Sequence, residues 1–197
     1  MADREDITRR SVLASAAILP AAALTVAGQS TTPQALNEAQ TKTLEAFVDR
    51  LIPADELGPG AVAAGAQNYI DLQLAGYLAG EKAAFIAGLD GLEAYSQRLY
   101  GMAFTVLSAE KRDEVLTAMD SNKAEGFANA RNFFTRARRL TLEGTFGDPH
   151  YGGNKNGIGW DIIRYPGPRP ATTPEDQRLD KQPEPYRRSA WGAEHEH

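Results

Sequence analysis

The 197-residue sequence predicts an all-α fold: a compact bundle of about five helices followed by a segment rich in glycine and aromatic residues. Three observations carry this expectation. Apolar residues recur at helical spacing in successive windows between residues 37 and 142; no window alternates with period two for long enough to build a sheet; and proline, glycine and short polar clusters separate the windows. A hydrophobic content of 42% over this length supplies one core once the two termini are set aside.

The elements follow in order. Leu44, Phe47, Val48, Leu51 and Ile52 mark a first helix, which Pro53 stops. Residues 54–60 are dense in turn formers and acids and read as a loop. A second helix places Val62, Ala66, Tyr69, Ile70, Leu74 and Tyr77 on one stripe, with Asp71 and Gln73 elsewhere, and breaks at Ala79-Gly80. Phe85, Leu89, Leu92 and Leu99 define a third helix running to Tyr100, with Gly101 as its terminator. Ser108 is an N-cap for a fourth, which carries Val115, Leu116 and Met119 and ends near Ser121-Asn122. The fifth spans 124–142, with Phe127, Phe134 and Ala137 on one side and Arg131, Arg136, Arg138 and Arg139 largely on others. That arginine group reads as a solvated helix face, with an ion-pairing subunit interface as the alternative.

Composition excludes several function classes. A net charge of −5 and an isoelectric point near 5.3 provide no basic footprint for nucleic acid. The absence of cysteine removes disulfides, thiolate-held iron–sulfur clusters, haem attachment and thiol nucleophiles. Only three histidines occur, so the commonest general base and metal ligand are scarce. No catalytic, cofactor-binding or metal site is expected in this chain.

The first 27 residues read as an address. Arg4, Arg9 and Arg10 precede an apolar run over 12–27, too short and too alanine-rich for a membrane span. Thr8-Arg9-Arg10-Ser11-Val12-Leu13 resembles a twin-arginine export signal, with Arg9, Arg10 and Leu13 as its recognition residues. An ordinary secretory signal containing two arginines is the alternative. Thr25-Val26-Ala27 offers small residues for cleavage near Gly28. Export of a chain already folded in a reducing compartment agrees with the missing cysteines. The expected layout is a signal over 1–27, a polar spacer over 28–36, a helical domain over 37–167 and a proline- and charge-rich tail over 168–197, in a periplasmic protein that engages the twin-arginine translocase.

Between Gly144 and Gly167 the texture changes, since seven of the 18 glycines and four aromatic residues fall there. Such a segment is entropically costly to order without a surface to pack on. Its aromatics either cap the chain's own core or anchor a partner, and composition does not choose between the two.

The run Gly147-Asp148-Pro149-His150-Tyr151-Gly152-Gly153-Asn154, followed by Gly159-Trp160 and Tyr165-Pro166-Gly167, resembles the signature of the gluconate 2-dehydrogenase subunit 3 family. So does Leu51-Ile52-Pro53-Ala54-Asp55-Glu56 with Pro59-Gly60-Ala61 and Ala64-Gly65, leading into Tyr69-Ile70-Asp71. Thr145 stands where that family often has a second aromatic residue, and the tail after Gly167 lies outside the resemblance. The resemblance implies a small subunit of a membrane-associated, flavin-dependent dehydrogenase of sugars, polyols or sugar acids. In such complexes a large subunit of the glucose–methanol–choline type holds FAD, and a cytochrome subunit carries haem c and takes the electrons onward. The small subunit assists maturation of the large one and carries it through the twin-arginine pathway. The implied partner interface comprises Phe146, Asp148, Tyr151, Asn154, Trp160 and Tyr165, with Pro53, Asp55 and Glu56 as a second patch.

Other constellations read more plainly. His150 beside Asp148 is a contact residue in preference to a catalytic base; the His195-Glu196-His197 tail lacks a preorganised second shell for metal. Gly157-Ile158-Gly159 has no preceding strand to make a dinucleotide fingerprint, and Asp55-Glu56 lacks EF-hand spacing. Two competing functions remain: a stand-alone periplasmic binding or chaperone-like protein, and an exported hydrolase using Asp148 and His150.

Overall fold

A cap decides where the first helix begins. Asn37 accepts at Oδ1 from the Gln40 N–H (2.9 Å), and the Gln40 side chain accepts from the Asn37 N–H (3.1 Å), satisfying two donors at once. Helix α1 (Glu38–Leu51) then buries Thr43, Leu44, Phe47 and Val48 and stops ahead of Pro53, as its sequence predicts. These features belong to a computed structural model, which describes residues 35–169, 171–180 and 184–191, all within one compact unit. The residues expected to form the export signal, Arg9, Arg10 and Leu13, and the terminal His195 and His197, lie outside the described residues.

The described residues form seven α-helices and no strand, so the all-α expectation holds while the element count rises. The helix expected over 62–77 is two: α2 (Gly60–Ala63) and α3 (Ala66–Ala75), separated at Gly65, whose φ of +77° leaves the right-handed helical region. Tyr77 lies past the end of α3 and is 91% exposed, so it is not part of the apolar stripe. Helix α4 (Lys82–Tyr100) ends at Gly101 in the left-handed conformation, as expected, and buries Phe85, Leu89 and Leu92. Leu99, assigned to the same stripe, is exposed, because it sits beyond the last buried positions, Tyr95 and Ser96. Helix α5 (Ala109–Asp120) is capped by Ser108, whose side chain accepts from the Lys111 N–H, and buries Val115, Leu116 and Met119.

Helix α6 (Ala130–Phe146) departs from its expected 124–142 bounds at both ends. Gly126 (φ +70°) and Asn129 (φ +59°) hold a left-handed turn ahead of it, so Phe127 packs from that turn, its ring 6.4 Å from that of Phe133. At the other end Gly144 continues the helix because its bare Cα lets α6 press against Ala66 and Tyr69 of α3. Helix α6 is the centre of the bundle and touches α1, α3, α4 and α5. Phe133 packs tilted against Phe47 at a ring separation of 6.0 Å, Phe134 meets Phe47 edge-on at 5.9 Å, and Phe85 meets Phe133 edge-on at 5.3 Å.

Polar residues staple this core. Glu93 accepts from the Thr43 hydroxyl (2.7 Å) and the Phe104 N–H (2.8 Å), joining α1 and α4 to the 104–106 turn. Asp71 accepts at Oδ1 from the N–H groups of both Ala35 (2.9 Å) and Leu36 (2.8 Å), clasping the chain just ahead of α1 to α3. The Tyr69 hydroxyl donates to Glu143 (3.1 Å); burial and that carboxylate push its pKa to about 12. Arg136 makes a bidentate pair with Glu81 (2.7 and 2.8 Å), Arg139 pairs with Glu143, and Arg131 and Arg138 are exposed. The arginine group is thus a solvated face with intrachain ion pairs. No helix among the described residues is long and apolar enough to cross a membrane.

Candidate functional site

The glycine- and aromatic-rich segment folds into short turns around one buried side chain. Asn154, with no exposed surface, donates from Nδ2 to the Gly147 carbonyl (2.8 Å) and accepts at Oδ1 from the Gly159 N–H (2.8 Å). Its own N–H donates to the Gly144 carbonyl (2.7 Å), and the next N–H, of Lys155, reaches the Ala64 carbonyl (2.9 Å). One asparagine therefore ties together the end of α6, the 147–153 turn and helix α7 (Ile158–Ile162), whose first turn it caps. Gly159 is required here: a Cβ would collide with the Thr145 carbonyl oxygen. Thr145 itself is buried and donates its hydroxyl to the Thr141 carbonyl (2.7 Å), so the position that the family resemblance marks as often aromatic is filled by a small, back-bonded residue.

Trp160 completes the closure. Its indole N–H donates to the Phe146 carbonyl (3.0 Å), and its ring meets Tyr165 edge-on at 5.4 Å. Asn154 and Trp160 (5% exposed) were both expected at the partner interface; in the free chain they face inward, where their polar atoms satisfy backbone groups of Gly147, Gly159 and Phe146. Phe146 and Pro53 are half-buried, whereas Asp55, Glu56, Tyr151 and Tyr165 are exposed.

The two patches nominated separately in sequence meet in space. The 53–60 loop is closed by paired hydrogen bonds between Asp55 and Gly58 and by the Asp55 carboxylate accepting from the Leu57 N–H (2.8 Å). Gly58 lies directly against the Ile162 side chain of α7, and α2 contacts α7. The loop tip raises Leu57 to 69% exposure, next to an α7 end that exposes Ile163 (54%) and Tyr165 (43%). Asp55, Glu56 and Leu57 are thus exposed on one of the two segments that meet at Gly58 and Ile162, and Ile163, Arg164 and Tyr165 on the other.

Asp148 opens the signature run and faces a different set of partners. Its Oδ1 accepts from the His150 N–H (2.9 Å) and its Oδ2 from the Ala190 N–H (2.8 Å). Burial pushes the carboxyl up, but hydrogen bonds from Ser189, His150 and Ala190 outweigh it and hold its pKa below the ordinary value. The His150 ring lies edge-on to Tyr151 and stacks on Trp191 at 5.6 Å. This arrangement positions a carboxylate for hydrogen bonding to backbone. No group of three or more potential metal ligands occurs among the described residues.

The profile of the gluconate 2-dehydrogenase subunit 3 family matches residues 38–167. The chain belongs to this family. No curated protein and no solved structure matches it. The family's name denotes one subunit of a dehydrogenase assembly, and the match takes in both patches of the surface built here. In this subunit 3 family member the match ends at Gly167, yet the tail beyond it contributes Arg187, Ser189, Ala190 and Trp191 to the same region. Sequence reasoning missed those residues, since a proline- and charge-rich composition carries no periodicity that reports packing.

Proposed function

We propose that this chain is the non-catalytic small subunit of a periplasmic, flavin-dependent dehydrogenase of sugars, polyols or sugar acids. It binds the large FAD-bearing subunit, of the glucose–methanol–choline type, assists its maturation and carries it through the twin-arginine translocase on its own signal at Arg9 and Arg10. A membrane-anchored cytochrome subunit with haem c receives the electrons, which bypass this chain.

The observation that best supports this reading is the convergence of the 53–60 loop and the 146–165 segment on one exposed surface inside the family match. Exposed aromatic and aliphatic side chains, here Leu57, Ile163 and Tyr165, are the residue types that anchor interfaces. The mechanism is linkage: burying this surface against the folded large subunit lowers that subunit's free energy relative to its unfolded forms.

Co-expression with the flavoprotein subunit tests it. The two proteins are expected to co-purify from the periplasm with dye-linked dehydrogenase activity, and Arg9→Lys with Arg10→Lys to strand both in the cytoplasm. Leu57→Asp with Tyr165→Asp is expected to weaken the complex by about 30-fold or more, the scale of losing a hot-spot anchor. A flavoprotein that folds, is exported and works without this chain refutes the proposal and favours a stand-alone binding protein.

A further inference from the structure

The tail past the family match is seated along the signature run by three kinds of contact. At its near end the Tyr186 N–H donates to the Pro166 carbonyl (2.6 Å), pairing the two extended segments. Next, the Arg187 guanidinium reaches both oxygens of Asp161 (2.8 Å each) and the Asn156 carbonyl (2.8 Å). Two and three residues on, Ser189 and the Ala190 N–H satisfy Asp148, and four residues on Trp191 lies on the face of His150. The seats are all family-matched residues; the occupants all lie outside the match.

The ion pair and the ring stack are of the exchangeable sort, whereas Ser189 is buried beside Asp148. The Arg187–Asp161 pair is half exposed on both sides, and Trp191 keeps 66% of its surface in solvent although it stacks on His150. Solvent-exposed ion pairs and a single ring stack hold a segment weakly. The seats, by contrast, belong to the segment that Asn154 ties to α6, with Asp161 on helix α7.

We propose that residues 184–191 are a built-in placeholder for the large subunit: they occupy a site that recognises an extended segment bearing a guanidinium and, four residues later, an aromatic ring. The large subunit presents a segment of the same chemistry, takes these seats and expels the tail. This inference rests on the accessory-subunit reading above. A tail docked about ten times as often as it is free lowers the apparent affinity for the competing segment about tenfold. The isolated small subunit thereby keeps its aromatic and acidic seats covered until a partner is present.

The absence of cysteine allows a direct test on the full chain. Ala190→Cys, which retains the backbone N–H, carries a single nitroxide label whose mobility reports tail docking, while co-elution reports complex formation. The label is expected to be restricted in the isolated subunit and mobile once the large subunit is added to saturation. Arg187→Glu, which repels Asp161, is expected to free the label in the isolated subunit and raise affinity for the large subunit about tenfold; Trp191→Ala is expected to act in the same direction. A label that stays restricted in a formed complex, or that is already mobile in the isolated subunit, overturns the placeholder and leaves the accessory-subunit reading standing. Failure to co-elute under any condition overturns both.

Discussion

Asn154 shows what one buried amide does for a glycine-rich segment. Both ends of its side chain are engaged, one as donor to Gly147 and one as acceptor from Gly159, in a place without exposed surface. Asn154→Ala leaves a partly buried carbonyl and a buried N–H without their partner, which is expected to cost about 2 kcal/mol. A lowered urea midpoint with an unchanged slope checks this. The residue's importance was legible in the Gly-Gly-Asn run, but its direction was not: a polar residue between glycines reads equally well as a surface contact or an internal clamp. Trp160 poses the same ambiguity, resolved only by the Phe146 carbonyl that its indole N–H finds. Asp55 and Glu56, by contrast, stand on the surface as an acidic turn should.

At the scale of elements, the helix interiors were readable and the ends were not. Apolar spacing located α1, α4 and α5, and the Asn37, Gly101 and Ser108 caps agree with it. Glycine misled in both senses. Gly65 breaks an apparently continuous stripe by adopting positive φ, whereas Gly144, beyond the expected helix end at 142, lies inside α6 as a close-contact residue. A Cβ at Gly144 would sit 2.9 Å from the Tyr69 Cβ and 3.0 Å from the Ala66 Cα. Gly144→Val is therefore expected to pry α3 from α6 and lower stability by about 2 kcal/mol, read from thermal and urea unfolding. Arg136→Ala, on the exposed face of the same helix, is expected to change stability by less than about 1 kcal/mol despite its bidentate pair with Glu81.

Across the whole molecule, pH probes the two regions separately. The Asp148 pKa in the folded chain lies below the ordinary value of 3.8, so its contribution to seating the tail is complete above that value and is lost as pH falls through the lowered one. In the unaltered isolated subunit the nitroxide at residue 190 is expected to become mobile under such acid conditions, and Asp148→Asn is expected to remove that acid step. At the alkaline end the sign reverses. Tyr69 and Tyr100 are both pushed to about 12, the first by burial ahead of Glu143, the second by its hydrogen bond to Glu114. The unfolded chain ionises these hydroxyls near 10 and the folded chain does not, so stability falls as pH rises from 10 towards 12. Tyr69→Phe and Tyr100→Phe are each expected to delete one late step from the tyrosinate absorbance titration. No local pattern announces that the tail joins this scheme, because its hold depends on backbone groups and isolated side chains, not on periodic burial.

The clasp at Asp71 has a mechanical meaning. Two main-chain N–H groups ahead of α1 hang on one carboxylate oxygen of α3, a helix that packs against the central α6. Tension applied from the amino-terminal side therefore enters the bundle at α3 and is shared with α6 before it bears on α1. Pulled from that side, the bundle is loaded at its middle, and α1 is spared from being peeled off end first.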